Sequence, residues 1–384
     1  MDRLERILRM QIEKEIKLKL KYAILIALAS FSATIQAEEE ATNTRLTSIG
    51  IRMTDVQVNS ATAKNALTMG NSFMINSAIG GVNAIAIPSI SNFRGKGFEW
   101  DSSVRHTPLI RSNYLLSYAN LTSGANSLTD IDKYSITLTN PTSTIKGQDL
   151  TIYDYSKSTL VTSRVSYGAD FLIFHDSKNR FLENFALRAG FEVYENDVIL
   201  SSKSNVFMSS GTSGTITTVT NGVDFTPDKL TYRESYLNGL VGLNYSVSFL
   251  GRNKIDFGLE YFKNMQGAAD FQEGSFVLLR IGNTSIPIST LRQGTAKTEI
   301  VGNRFHIGYS FQVTDAVFLR LSYAGTEATH TVRSSNVTNK DGVLVAALTG
   351  NAGAILGNML HGYGPYPSSR DTRSQIGFEI GFKY

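Results

Sequence analysis

Ile376-Gly377-Phe378-Glu379-Ile380-Gly381-Phe382-Lys383-Tyr384, the last nine residues, alternate without interruption. Ile376, Phe378, Ile380, Phe382 and Tyr384 fall on one face of a strand, and Gly377, Glu379, Gly381 and Lys383 on the other. A soluble sheet could lay the apolar face on a core. It would rarely end on its last aromatic with no polar tail. If the apolar face meets lipid instead, the Gly/Glu/Lys face meets a lumen.

The same alternation recurs upstream. Val317, Leu319, Leu321 and Tyr323 alternate with Phe318, Arg320 and Ser322; Phe305, Ile307, Tyr309 and Phe311 alternate with Arg304, His306 and Ser310. Further runs occupy 254–263, 236–249, 184–195 and 160–174, weaker ones 147–155, 132–140 and 109–121, and 44–58 and 94–101 are additional candidates. The joints alternate short (314–315, 250–253, 175–183) and long (326–373, 264–299, 196–231), as in transmembrane barrels with tight turns on one side and loops on the other. Strands of this length suit the roughly 9–11 residues that cross a bilayer at a tilt. The pattern predicts an all-β fold, an antiparallel transmembrane β-barrel of 10–14 strands over 109–384. It is preceded by a segment, 38–108, holding a possible lumen hatch and the first strands. The terminal run, Ile376 to Tyr384, resembles the C-terminal signal strand of Gram-negative outer-membrane barrels. That resemblance implies recognition by the barrel assembly machinery and residence in outer-membrane lipid and lipopolysaccharide.

Seven basic residues, Arg3 to Lys21, precede an apolar run, Tyr22 to Ala29, and small residues ending at Ala37. This reads as a secretory signal peptide over 1–37, because the apolar run falls short of the roughly 20 residues of a membrane helix. Removing it takes 7 of 37 basic and 4 of 33 acidic residues, leaving 30 against 29. That balance argues for no nucleic-acid partner. Cysteine is absent, which excludes disulfides, thiolate catalysis and Cys-based zinc sites.

The inward face collects the strand charges Arg164, Asp170, Arg188, Glu192, Asp256, Glu260, Arg304, Arg320, Glu379 and Lys383. A charge facing lipid would cost roughly 2–4 kcal/mol near the midplane. Five basic against five acidic groups favour ion pairs stiffening a solvated interior over a selective eyelet. Leu172, Phe174, Leu240, Phe262 and Phe318 also face inward and are candidates for a hydrophobic pocket. The apolar stretches Phe276–Ile281 and Gly342–Leu360 fall in supposed outer loops, as solute-capturing surface, inward-folded cap or extended hairpins.

Residues 59–91 do not read as strand. Ala66-Leu67-Thr68-Met69-Gly70-Asn71-Ser72-Phe73, followed by Ala86-Ile87-Pro88-Ser89-Ile90, resembles the N-terminal hatch of the long-chain fatty acid transporter (FadL-like) family. The second part lacks that family's Asn before Pro. The resemblance implies a segment tucked in the lumen and a route for hydrophobic solutes. No HExxH, GxSxG or P-loop pattern occurs. Among the histidines, His306 and Ser310 lie roughly 13 Å apart along one strand, and His330 and His361 fall in the last long loop. No catalytic residue, metal site or cofactor is expected. The expected function is a porin-like channel for passive passage of small solutes; the alternative is a barrel displaying loops to a host or partner surface.

Overall fold

In the computed structural model, residues 47–70, 90, 92–124, 126–139, 142–177, 184–211, 223–281, 284–338 and 368–384 are described. The signal-peptide reading and the apolar stretch at 342–360 lie outside them. The elements are β1 (Thr47–Asn59), helix α1 (Ala61–Gly70), β2 (Asn92–Arg105), β3 (Ile110–Ser123), β4 (Asn126–Thr139), β5 (Thr142–Leu172), β6 (Phe185–Gly211), β7 (Val223–Phe249), β8 (Asn253–Ile281), β9 (Thr284–Gln312), β10 (Val317–Thr338) and β11 (Ser369–Lys383).

All strand pairs are antiparallel neighbours, and two pairings close the cylinder. β1 pairs with β11, as Met53 with Phe378, and β3 pairs with the lower half of β5, as Ile110 with Phe171. β4 takes the upper half of the same β5, Asn126 opposite Tyr155, in the register β3 established. β4 is thus β3 resumed after Gly124. The wall is a closed barrel of ten strands. Among the described residues, no helix is long and apolar enough to cross a membrane.

The outward face divides sharply by height. From the turn end upward it presents Ile255, Phe257, Leu259 and Tyr261 on β8, and Phe311, Tyr309, Ile307 and Phe305 on β9, all well exposed. Polar residues then take over at the same outward parity: Asp55, Lys96, Glu195, Ser235, Lys263, Glu327 and Ser374. The apolar belt is what a bilayer covers; the polar edge marks where it stops.

Four strands' worth of supposed loop proves to be wall. The intervals 196–231, 264–299 and 326–373 were expected as loops, yet β6 runs to Gly211, β7 starts at Val223, and β8 and β9 extend to Ile281 and Thr284. The reason is solvation: above the belt the outward face turns polar, while the inward face mixes buried polar residues such as Asn196 and Glu234 with the apolar ones that meet α1, so the apolar-out, polar-in contrast of the lower strands is lost. Phe276–Ile281 accordingly pairs with β9 as an extended hairpin, Val277 opposite Ile288. Register shifts cluster at the belt edge and above it, at Leu237/Asn238, Lys263/Ala268 and Val332/Ser334, where bulges add twist without exposing backbone to lipid.

The turn end is tight. Leu250 (φ 50°) and Gly251 (φ 69°) take left-handed conformations, reversing the chain between Phe249 and Asn253, which are paired. At the next turn, Val317 N–H donates to Thr314 Oγ1 at 3.0 Å.

Candidate functional site

The barrel interior is built in layers, and strand register sets each one. Glu99 on β2 faces Arg52 on β1, Arg52 faces Glu379 on β11, and Glu379 faces Arg320 on β10. The other side of the wall repeats the device: Arg111 faces Asp170, Asp170 faces Arg188, and across Gly242 Glu260 faces Arg304. Opposite charges directly across a ladder attract, so one choice of register writes two alternating rows around the lumen.

The contacts follow the rows. Arg52 Nη1 lies 2.5 Å from Glu99 Oε2, and its Nε donates to Glu379 Oε2 at 2.9 Å. Arg111 meets Asp170 at 2.7 Å, Arg304 meets Glu260 at 3.0 Å and Glu192 at 3.2 Å, and Arg320 holds Asp256. Asn244 and Asn238 each donate at 2.9 Å, to Asp170 and Glu192. Glycines supply the room. A Cβ on Gly168 would lie 2.5 Å from Arg188 Nε, and one on Gly308 2.5 Å from Arg320 Nε. These arginines lie across the neighbouring strand because nothing stands there.

Between the rows runs a cavity of about 340 Å³. It reaches from Ser248, Arg252, Gln312 and Lys383 at the turn end up to Ile300, Ala328, Arg373 and Tyr194. An apolar shelf of Tyr194, Tyr236, Leu240, Phe262, Ile300 and Ala328 lies at its upper limit. Arg304 stacks over the Phe262 ring at 5.0 Å and Arg373 over Tyr194 at 5.5 Å, so the arginines bridge the ionic and aromatic zones.

Above the shelf α1 packs inside the barrel against β6, β7, β8, β10 and β11. Its Ala63, Ala66 and Leu67 are buried in one cluster with Val56, Phe93, Leu121, Leu160, Val198, Phe271 and Val332 of the surrounding wall. Small residues let a helix fit inside a narrow barrel. Ser60 caps it, Oγ accepting from Ala63 N–H at 3.1 Å. Asp371 of β11 accepts from Ala61 N–H at 3.0 Å, a carboxylate at the positive end of the helix dipole.

One buried carboxylate ties α1 to the wall. Glu234 on β7 accepts from Thr62 Oγ1 at 2.8 Å, Asn65 Nδ2 at 2.9 Å and the Tyr232 hydroxyl at 3.1 Å. His330 Nδ1 of β10 lies 2.9 Å from Oε2, the oxygen that also accepts from Thr62. Both residues stand above the polar edge of the belt, outside the membrane-spanning segments. Burial disfavours both charges, yet their mutual attraction wins. His330, with the hydrogen bonds from Asn65 and Thr62, holds the Glu234 carboxyl below its usual range, and Glu234 holds the His330 imidazole above its own.

The ten charges selected from sequence, Arg164, Asp170, Arg188, Glu192, Asp256, Glu260, Arg304, Arg320, Glu379 and Lys383, sit on the inner wall. The five apolar candidates are not together. Leu240 and Phe262 share the shelf. Phe318 covers Gly381 at the turn end, Leu172 is buried near that end, and Phe174 is exposed in the turn beside Phe185. Ile376, Phe378, Ile380 and Phe382 point outward into the belt and Tyr384 is exposed below it. His330, expected in a loop, is instead a fully buried strand residue; its outward neighbours are polar, which hid the strand. Gly258 faces inward but has the His306 ring where its Cβ would be. Of the hatch-like segment 59–91, α1 follows β1 directly, and 71–89, which hold the rest of the matched motif, lie outside the described residues. Arg52, Glu99, Arg111, Lys254, Glu234 and Arg373 were not singled out from sequence, although Arg52 and Glu99 follow from the alternation around Ile51, Met53, Phe98 and Trp100.

No family model and no curated protein matches this chain. Among solved structures it is similar to the outer membrane protease OmpT from Escherichia coli, at 10% identity and TM-score 0.37, covering 90% of this chain and 99% of that one. It is also similar to the toluene transporter TodX from Pseudomonas putida, at 8% identity and TM-score 0.24, covering 89% and 90%. The translocator domain of autotransporter NalP from Neisseria meningitidis follows at 11% identity and TM-score 0.21, covering 95% and 97%. These superpositions are loose.

Proposed function

We propose that this protein is an outer-membrane channel for small hydrophilic solutes, closed in this conformation by α1. The observation that carries the reading is the ion-lined cavity running through the lipid belt from the turn end and stopping under the helix. A charged, hydrated lumen gives polar solutes a path through hydrocarbon that they cannot otherwise cross. A FadL-like route for hydrophobic molecules finds less support, because Leu240 and Phe262 are packed in the shelf while Phe318, Leu172 and Phe174 lie elsewhere. Residence among lipopolysaccharide and delivery by the barrel assembly machinery belong to the same proposal.

The absence of native cysteine allows a direct test. A Ser322→Cys thiol in the lumen should react with a small membrane-impermeant reagent added on the turn side. It should resist the same reagent from the far side until α1 is loosened. Protection from both sides would remove the channel reading.

A second reading is display of the upper barrel to a host or neighbouring cell. It is favoured by the charged outer wall above the belt, where Arg333 pairs with Glu299 at 2.7 Å and Arg370 with Glu327 at 2.6 Å. Shortening the β8–β9 hairpin should then abolish cell binding while the barrel still folds; unchanged binding counts against it.

A further inference from the structure

The lumen charges do not cancel. Each carboxylate lining the cavity is engaged, by an arginine or, for Asp371, by the α1 N–H. Lys254 and Lys383 line the same cavity, and among the described residues neither has a carboxylate at ion-pair distance.

Register brings the two lysines to the same end of the inner wall. Lys383 reaches from β11 past β10 to donate to Gln312 Oε1 on β9 at 2.9 Å. Lys254 on β8 is paired with Ser310 on β9. Positions 310 and 312 are successive inward places on one strand, about 7 Å apart. Arg111, Arg320 and Lys383 all stand close enough for their charges to act on Lys254; the acid that does so, Asp256, is held by Arg320. Lys254 and Lys383 are solvent-accessible, so a solute entering at the turns meets them first.

We propose that the turn end of the lumen is a binding site for small oxyanions, phosphate or carboxylate, gripped between Lys254 and Lys383. Two ammonium groups side by side repel each other, and a bound oxyanion relieves that repulsion while accepting hydrogen bonds from both. The cations left without a carboxylate make the entrance positive, which raises the local concentration of anions. The proposal rests on the hydrated lower lumen of the channel reading, though not on conduction.

The test titrates the folded full chain in zwitterionic detergent micelles with inorganic phosphate, followed by phosphorus NMR line width. Saturable binding is expected, weakened at least tenfold in the Lys254→Gln/Lys383→Gln double variant. It should be unchanged in Arg94→Gln, which alters an exposed cation on the outer wall. Absence of saturable binding by heat-modifiable wild-type barrel would overturn the proposal. So would equal affinity in the double variant, or an equal loss in Arg94→Gln. Phosphate bound by a barrel that never conducts would leave the site standing and remove transport alone.

Discussion

Glu234 of β7 and His330 of β10, strands that are not neighbours, meet inside the barrel with Oε2 and Nδ1 2.9 Å apart and neither side chain exposed to solvent. The pair spans the lumen under α1, and the same carboxylate takes the helix side chains Thr62 and Asn65. One buried charge therefore joins two walls and the plug. Replacing one partner of such a pair leaves the other charged and unsolvated, at a cost of roughly 3–5 kcal/mol. His330→Ala should lower barrel stability by about that amount in urea refolding; a change under about 1 kcal/mol would show the pair to be dispensable.

Acidity and alkalinity should both loosen this joint, by different groups. The Glu234 carboxyl is held below its reference value of 4.5, so its contribution is present above that value and lost as pH falls through the lower folded value. The His330 imidazole is held above its reference value of 6.5, so its contribution is present below that value and lost as pH rises through the higher folded value. Stability of wild type relative to a Glu234→Gln/His330→Gln double variant should peak between about pH 4.5 and 6.5. A flat difference across pH 3–9 would contradict the pairing.

The belt assignment makes a positional prediction. Leu259 and Leu321 face lipid, exposed by 45% and 57%, whereas Ser322 faces the lumen. Arginine at either leucine should cost roughly 2–4 kcal/mol of membrane insertion, and Ser322→Gln should cost far less. Gly258 is no fair lumen control, because the His306 ring fills the place of its side chain. Equal refolding yields for the leucine and serine variants would reverse the faces.

Room on the inner wall is equally specific. A Cβ on Gly190 would collide with the backbone carbonyl of Tyr167, and one on Gly274 would meet nothing within 4 Å. Gly190→Ala should therefore reduce folding yield in detergent, with Gly274→Ala close to wild type. The reverse order would mean that the β5–β6 wall is spaced differently.

The sequence was readable where lipid enforces contrast. On 304–313 and 376–384, outward Phe, Ile and Tyr alternate with inward Gly, Arg and Glu, since hydrocarbon tolerates only one of these classes. Above the belt, Glu195, Asp197, Arg233 and Ser235 share the outward parity of the residues below, while Asn196 and Glu234 are buried opposite them. Water accepts one set and the plug hydrogen-bonds the other, so polarity no longer separates the faces. That is why strands above Lys263 read as loops. Partnerships across the lumen were further out of reach. Nothing local ties Glu234 to His330, or Thr62 to Glu234, at separations of 96 and 172 residues. The ionic rows were legible as charges on one face, but their alternation depends on a register that adjacent sequence does not encode.

The most direct measurement is single-channel current of the refolded barrel in planar bilayers, wild type beside Thr62→Val/Asn65→Leu. That variant strips two hydrogen bonds that hold α1 to Glu234, worth roughly 1–3 kcal/mol each when a buried acceptor is left unmet. With both proteins shown to be folded by heat-modifiable migration, the wild type should stay closed and the variant should open in discrete steps. Steady wild-type conductance, or silence from both, would contradict a channel plugged by α1.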